Sequence, residues 1–389
     1  MPRLDFVFFD AGGGHRSAAT ALKSVVEQQQ RPWQIRLVNL QEVLDSLDVF
    51  RKITGIRLED IYNKMLAKGW TFGSAQGLRF MQSVIRSFHK EQVDLLTGFW
   101  SQDPPDMVVS LVPNFNRAMY QGLHRADRRI PYVTILTDLA DYPPHFWIER
   151  RQPGKPAEPV QSQYFICGTD RAAEQALAFG HPQNRVFKTS GMILRPMFYD
   201  PVRISIDKER EQLGLAPNVP TGIVLFGGQG SKAMLRIAER LGRSGLRHQL
   251  IMICGKNEPL AIKLRALKLP IKMHVEGFTS EIPRFMRLAD FFIGKPGPGS
   301  ISEAIKMGLP VIIERNYMTL PQERYNADWV RSHGVGIVVE SFKEIERAVR
   351  EMLEPGTLGR FQTSAASIDN RAAFEIPEIL EEILASQPR

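Results

Sequence analysis

The sequence predicts an α/β protein built from two doubly wound domains. Its 389 residues are long for one domain and comfortable for two of about 150–200 residues each. Three times, an apolar strand-like run ends in a glycine turn that feeds a helix, at 10–17, 227–231 and 294–300. Strand–turn–helix units of this kind belong to doubly wound sheets, whose sites gather at the carboxyl ends of the strands.

In the first half, Leu4–Phe9 reads as a strand, Asp10-Ala11-Gly12-Gly13-Gly14-His15-Arg16-Ser17 as its turn, and Ala18–Gln29 as a helix. No glycine follows at the third position of a dinucleotide fingerprint. Arg36–Leu40 reads as the second strand. Residues 44–100 are less regular: Ile53, Ile56, Trp70, Phe72, Phe80 and other apolar residues interleave with basic ones at helical spacing. Within 51–90, eight Lys/Arg stand against Glu59 and Asp60, so most of the net charge of +8 sits in about a tenth of the chain. An interfacial membrane segment fits that pattern, and so do two core helices with solvated basic faces. A local surplus of this kind suits an anionic partner. Asp106–Leu111 and Tyr132–Leu136 read as strands, the latter followed by Thr137-Asp138-Leu139. Asp138, an Asp at a strand end, serves as a helix cap as often as a site residue. Residues 150–162 are Pro-rich and read as an exposed loop before the strand Tyr164–Cys167, and the domain boundary falls at about 198–202.

The second half opens with a helix at 206–213, a strand at 221–226, the turn Gly227-Gly228-Gln229-Gly230-Ser231 and a helix at 234–242. Gly228, Gly230 and Ala233 form a weak dinucleotide match. The next strand ends Ile253-Cys254-Gly255-Lys256-Asn257, without the carboxylate that would hold a ribose, so an oxidoreductase is disfavoured. The apolar run from Leu288 to Ile293 reads as a buried strand, Gly294–Ser300 as its turn, and Ile301–Met307 as a helix. Such a turn offers unpaired N–H groups where the helix dipole also favours negative charge. Its glycines let a diphosphate approach the backbone, and Ser300 either caps the helix or binds a phosphate oxygen. Glu303, one turn in, would repel a phosphate, so ribose hydroxyls are its natural partner. The stretch therefore suits a nucleoside diphosphate. Phe342–Leu353 and Ala372–Leu384 read as the last helices.

The string GKPGPGSISEAIKMGLPVI at 294–312, followed by Pro321-Gln322-Glu323 and Asn326, resembles the nucleotide-sugar site of family 28 glycosyltransferases. Within that family it is most similar to monogalactosyldiacylglycerol synthases and bacterial processive diacylglycerol glycosyltransferases, whose DxGGGHR opening the chain also shares. The resemblance implies a GT-B fold of two Rossmann-like domains facing a cleft, with a last helix crossing back. The domains would be 1–198 (acceptor and membrane), 199–365 (UDP-sugar) and the crossover helix 366–389. It implies inverting, metal-independent transfer of a hexose from a UDP-sugar to diacylglycerol. It assigns Glu303 to the ribose and Gly297, Gly299 and Ser300 to the diphosphate, with Gln322 and Glu323 on the sugar hydroxyls. Gly14, Gly228 and Gly230 also fall to the donor, and the VEGFT segment with Phe278 and Thr279 to the uracil. His15 becomes the candidate base, with Asp10 to orient it and Asp138 to bind sugar or help position the acceptor; Lys295 and Arg195 are possible helpers. The residues alone serve equally a turn histidine bonded to a carbonyl. Residues 44–100 would meet an anionic membrane surface and the lipid. Val112, Ile193 and Pro321 depart from the family patterns, which leaves galactose, glucose and glucuronic acid open as the sugar. A transferase with an isoprenoid-linked acceptor, or a UDP-sugar epimerase, is the alternative.

Cys167 and Cys254, the two cysteines, each end a strand-like run and suit reduced core thiols. No D-x-D and no His/Cys cluster of metal-ligand spacing occurs, so neither a metal nor another cofactor is expected. Met1-Pro2-Arg3 leads directly into a strand without a signal peptide, and no apolar run nears the roughly 20 residues of a membrane span. The expected location is cytoplasmic, peripheral at the inner face of the plasma membrane, with no nucleic-acid partner.

Overall fold

The chain forms two six-stranded parallel sheets, each flanked by helices. The computed structural model describes residues 1–10, 14–45, 82–83, 85–149, 163–200 and 204–387. The greater part of the basic and aromatic segment expected at 44–100 lies outside those residues, as do Ala11, Gly12, Gly13 and the Pro-rich loop.

The first unit comprises described residues up to Pro196 together with the chain from Asn370 onward. Its strands are β1 (Arg3–Phe8), β2 (Gln34–Asn39), β3 (Met107–Ser110), β4 (Tyr132–Ile135), β5 (Gln163–Cys167) and β6 (Val186–Lys188). They pair in the order β2-β1-β3-β4-β5-β6. β3 to β5 are buried along their whole length, as strands covered by helices on both faces must be. The first helix runs Gly14–Gln28 and so begins four residues earlier than its composition suggests; Ala18, Leu22 and Val26 face the core. A helix at Ala372–Ala385 contributes Ala372, Ile376, Leu380 and Ile383 to that same core, beside Leu4, Phe6 and Leu22. Intervals of four, four and three residues place all four side chains on one helical face.

The second unit, Met197–Asp369, holds β7 (Thr221–Leu225), β8 (Gln249–Ile253), β9 (Met273–Glu276), β10 (Phe291–Gly294), β11 (Val311–Glu314) and β12 (Gly336–Val339). Their order is β12-β11-β10-β7-β8-β9. The chain thus steps outward from β7 to β9, then returns to β10 on the other side of β7. Loops leaving β7 and β10 diverge and open a crevice at the strand carboxyl ends. Gly222 makes this pairing possible: it sits opposite Phe291, and a Cβ there would lie 2.7 Å from the Phe291 ring. Leu288 and Ala289, expected in the strand, instead close the turn after the helix Ile282–Arg287.

Because Leu380 is fully buried, Leu380→Ala should destabilise the first unit by about 2–4 kcal/mol. Hydrogen exchange in denaturant, read separately over β1–β6 and β7–β12, checks this. An unchanged first unit would mean that the terminal helix does not hold its core.

Candidate functional site

In the second unit, residues from three loops meet at the switch point of the sheet. β10 ends at Gly294, and a helix runs Pro298–Lys306 with Gly297 as its N-cap. Proline suits the first helical position because its missing N–H would have no partner there. The backbone N–H groups of Gly299 and Ser300 belong to the turn that a helix leaves without partners of its own. Ser300 therefore lies inside the first turn and is not the cap. That removes one of its two expected roles and leaves its hydroxyl beside the N–H groups. Glu303, half-buried, follows one turn later.

Lys295 marks the crossing. Its Cε lies 3.2 Å from where a Cβ on Gly297 would sit and 3.7 Å from the corresponding point on Gly227. Its Nζ lies 3.6 Å from Glu323 Oε1. Glu323 is buried and ends a 3-10 turn, Pro321–Glu323, that also carries Gln322. Asn326, fully buried, donates from Nδ2 to the Pro296 carbonyl at 2.7 Å, while its Oδ1 has no hydrogen-bond partner among the described residues. The bond to Pro296 holds the loop 295–297, and truncating the amide would take the donor from the buried Pro296 carbonyl. Lysine, two glycines, Glu323 and a helix N-terminus thus surround one position suited to a diphosphate.

On the other side of the switch point, Gly230 has φ +59°, and a Cβ there would meet the Cys254 carbonyl at 2.8 Å. Its N–H donates to Gly227 O, and the Gly228 carbonyl accepts from Lys256 N at 2.9 Å. This loop is therefore braced against 254–257. Phe278 is 66% exposed, with Lys256 Nζ 5.4 Å from its ring centre, which leaves an aromatic face open for a base. The Thr279 hydroxyl accepts from Glu281 N.

In the first unit, His15 occupies the first turn of the helix Gly14–Gln28, and a side chain added at Gly14 would meet open space. His15 Nδ1 lies 3.1 Å from Thr137 Oγ1, and its ring centre lies 5.9 Å from that of Trp147. Asp10 pairs with Arg16 at 2.5 Å. Asp138 is buried and accepts from Trp147 Nε1 at 2.8 Å; no helix begins there, so it caps none. His15 as a residue is half-buried, and desolvation of its ring pushes the pKa down from 6.5 to about 4, against a hydrogen bond to the Leu111 backbone that raises it. The ring is therefore neutral at pH 7, the form that accepts a proton, though a weak base. It gains driving force only as the attacking oxygen loses electron density.

Of the residues the sequence singled out, the structure brings Gly297, Lys295 and Glu323 together, and Glu303 and Gln322 lie on the adjoining helix and 3-10 turn. Sequence reasoning missed the anchoring role of Asn326, the Lys295–Glu323 contact and Thr137. Asn326 could have been suspected, since it stands in the same string as Gln322. Among the described residues, no group of three His, Cys, Asp or Glu could hold a metal ion. Likewise no described helix is long and apolar enough to cross a membrane.

Asn326→Ala should lower the stability of the second unit by about 1–3 kcal/mol, measured by urea titration of Trp329 fluorescence; no loss would show that the amide holds nothing. For His15, the unfolded chain titrates near 6.5 and the folded chain near 4. The unfolded state then binds more protons between those values, so stability falls as pH falls through that window. His15→Gln should flatten part of this slope. Melting temperatures of both proteins from pH 7 to pH 4 test it, and parallel slopes would contradict the lowered pKa.

Residues 222–383 match the Glycosyltransferase family 28 C-terminal domain. The chain is 29% identical to a probable monogalactosyldiacylglycerol synthase 3, chloroplastic, of Oryza sativa subsp. japonica, over 97% of this chain and 74% of that protein. It is 26% identical to monogalactosyldiacylglycerol synthase 3, chloroplastic, of Arabidopsis thaliana, over 98% and 81%. Among solved structures, Acinetobacter baumannii MurG is similar in fold, with a TM-score of 0.60 at 13% identity, covering 98% of this chain and 100% of that one. The likeness read from the 294–326 string is therefore borne out by the family, and the two-sheet α/β architecture by the fold.

Proposed function

We propose that this chain, a glycosyltransferase carrying a family 28 C-terminal domain, moves a hexose from a UDP-sugar to diacylglycerol at a membrane surface. The observation that carries the reading is the cradle at the β7–β10 switch point, where Lys295, Gly297 and the N-terminus of the helix Pro298–Lys306 come together. These groups would take the diphosphate, with Glu303 on the ribose, Gln322 and Glu323 on the sugar, and Phe278 beside the uracil. The acceptor oxygen forms its bond to the anomeric carbon as the bond from that carbon to the diphosphate breaks. The proton of the acceptor hydroxyl passes to His15. Transfer by one such displacement inverts the anomeric configuration. Charge growing on the leaving diphosphate is met by fixed N–H dipoles and the Lys295 ammonium, which is where most of the acceleration arises. No step calls for a metal ion.

Support for the acceptor comes from the likeness to monogalactosyldiacylglycerol synthases over nearly the whole chain. Those relatives carry chloroplast designations, which gives no support to a plasma-membrane location, so the proposal is limited to a membrane surface. The basic segment within 44–100 would meet anionic lipid there.

The test is product formation on diacylglycerol vesicles with UDP-galactose, UDP-glucose, UDP-glucuronic acid and UDP-N-acetylglucosamine offered in parallel. One or two donors should label the lipid. His15→Ala should lower turnover by about 10²-fold or more, and Glu303→Ala should raise the donor KM. Conversion of a donor to its epimer, or labelling only of an isoprenoid-linked acceptor, would overturn the diacylglycerol reading.

A further inference from the structure

The helix Lys232–Gly242 turns Met234, Ile237, Ala238 and Leu241 into the core of the second unit. Its outer face carries Lys232, Arg236 and Arg240, and Arg243 follows at the C-cap; all four are exposed. Steps of four, four and three residues set these cations in one row, about 16 Å long. Exposed arginines elsewhere in this unit have acidic partners: Arg265 with Glu258, Arg331 with Asp328 and Arg350 with Glu346. No member of the row forms an ion pair among the described residues. The acids of the region are Glu239 on the same helix, exposed Glu340, and half-buried Glu314, on which the Arg236 charge acts at longer range.

The row borders on the loop that follows β11. Arg240 Nη1 donates to the Lys343 carbonyl at 3.4 Å, and Glu314, which ends β11, accepts from Asn316 Nδ2 at 2.8 Å. Beyond Glu314 come exposed Arg315 and then Tyr317, which is 76% exposed. Asn316 pins this loop: its backbone N–H donates to Thr319 Oγ1 and its Oδ1 accepts from Met318 N–H. Arg324 donates to the Tyr317 carbonyl. A fixed backbone thus holds an aromatic ring out in water beside unpaired cations.

We propose that the row from Lys232 to Arg243 and the Tyr317 loop form a membrane-contact surface on the second unit. The row meets anionic headgroups, and the Tyr317 ring enters the bilayer interface. A row of cations suits any polyanion, but stacked bases need aromatics among the cations, and residues 232–243 contain none. Tyrosine is at home at headgroup level, its ring in the apolar boundary and its hydroxyl in water. The inference rests on the reading of a membrane-surface protein and needs neither the donor nor the diacylglycerol assignment.

The test is cosedimentation of the full chain, without donor, on phosphatidylcholine vesicles with and without phosphatidylserine. The triple variant Arg236→Gln, Arg240→Gln, Arg243→Gln should bind the anionic vesicles about a hundredfold more weakly than wild type. The control triple Arg265→Gln, Arg331→Gln, Arg350→Gln, equal in charge, should lose far less. Melting temperatures check that both remain folded, and added salt should narrow the difference. Tryptophan fluorescence of Tyr317→Trp, less that of wild type, should shift to the blue on anionic vesicles and be quenched by brominated lipid. Equal losses in the two triples would overturn the proposal, as would a Tyr317→Trp signal that ignores vesicles. Binding to a single-stranded oligonucleotide that is tighter than to vesicles, and lost in the first triple, would overturn it in favour of nucleic acid. Vesicle binding as expected with no lipid labelled from any donor would instead remove the transfer reading and leave this surface standing.

Discussion

The parallel pairing of β7 with β10 is the constraint on which the second unit depends. These strands are far apart in the chain, and each has its other neighbour on the opposite side. Their contact therefore creates the one place in this sheet where two successive loops part. Packing enforces it in detail. Phe291 fits against β7 only because Gly222 has no side chain, and a Cβ on Gly294 would lie 2.5 Å from the Leu225 carbonyl. Once this register is set, Gly294 delivers Lys295 into the crevice and Pro298 starts a helix pointing its N–H groups there. The arrangement of groups in this crevice is thus a product of strand packing more than of any single side chain.

Local structure was legible wherever one stretch of chain carried its own signal. Apolar runs at β1, β4, β5, β7 and β8 stand out because a strand covered on both faces has no polar alternation to dilute it. Helix starts were read too late at Gly14 and Pro298. Glycine and proline punctuate turns in sequence, but tertiary packing overrides weak propensities, and proline is compatible with a first helical turn. Of the site, the residues inside the 294–303 string were legible because their spacing is itself the geometry. The partners of those residues were not. Thr137 meets His15 across 122 positions, and Asn326 meets Pro296 across 30; such contacts exist only after the sheet orders its strands.

The loop after β4 shows how polar burial can hold an aromatic in place. Asp141 is fully buried, and desolvation raises its pKa to about 6 despite hydrogen bonds from the backbone N–H groups of Trp147 and His145. A buried carboxylate is tolerated only when its oxygens are engaged in this way. Asp138 and Asp141 grip Trp147 from its side chain and its backbone respectively. The irregular chain between Asp138 and Ile148 is therefore ordered without regular secondary structure, and it supplies one wall around the His15 ring.

The return of the last helix to the first unit has a consequence for biosynthesis. The second unit is an insertion, complete in sequence once residue 369 has left the ribosome. At that moment all six strands of the first sheet exist, yet Leu4, Phe6 and Tyr164 still lack the face of Ile376, Leu380 and Ile383 that covers them. Domains fold as units during synthesis, so the later-encoded sheet can finish while the earlier-encoded one waits with apolar surface uncovered. The sheet encoded earlier is then the one sealed later, and chaperone access while residues 370–387 are being made matters most to its completion.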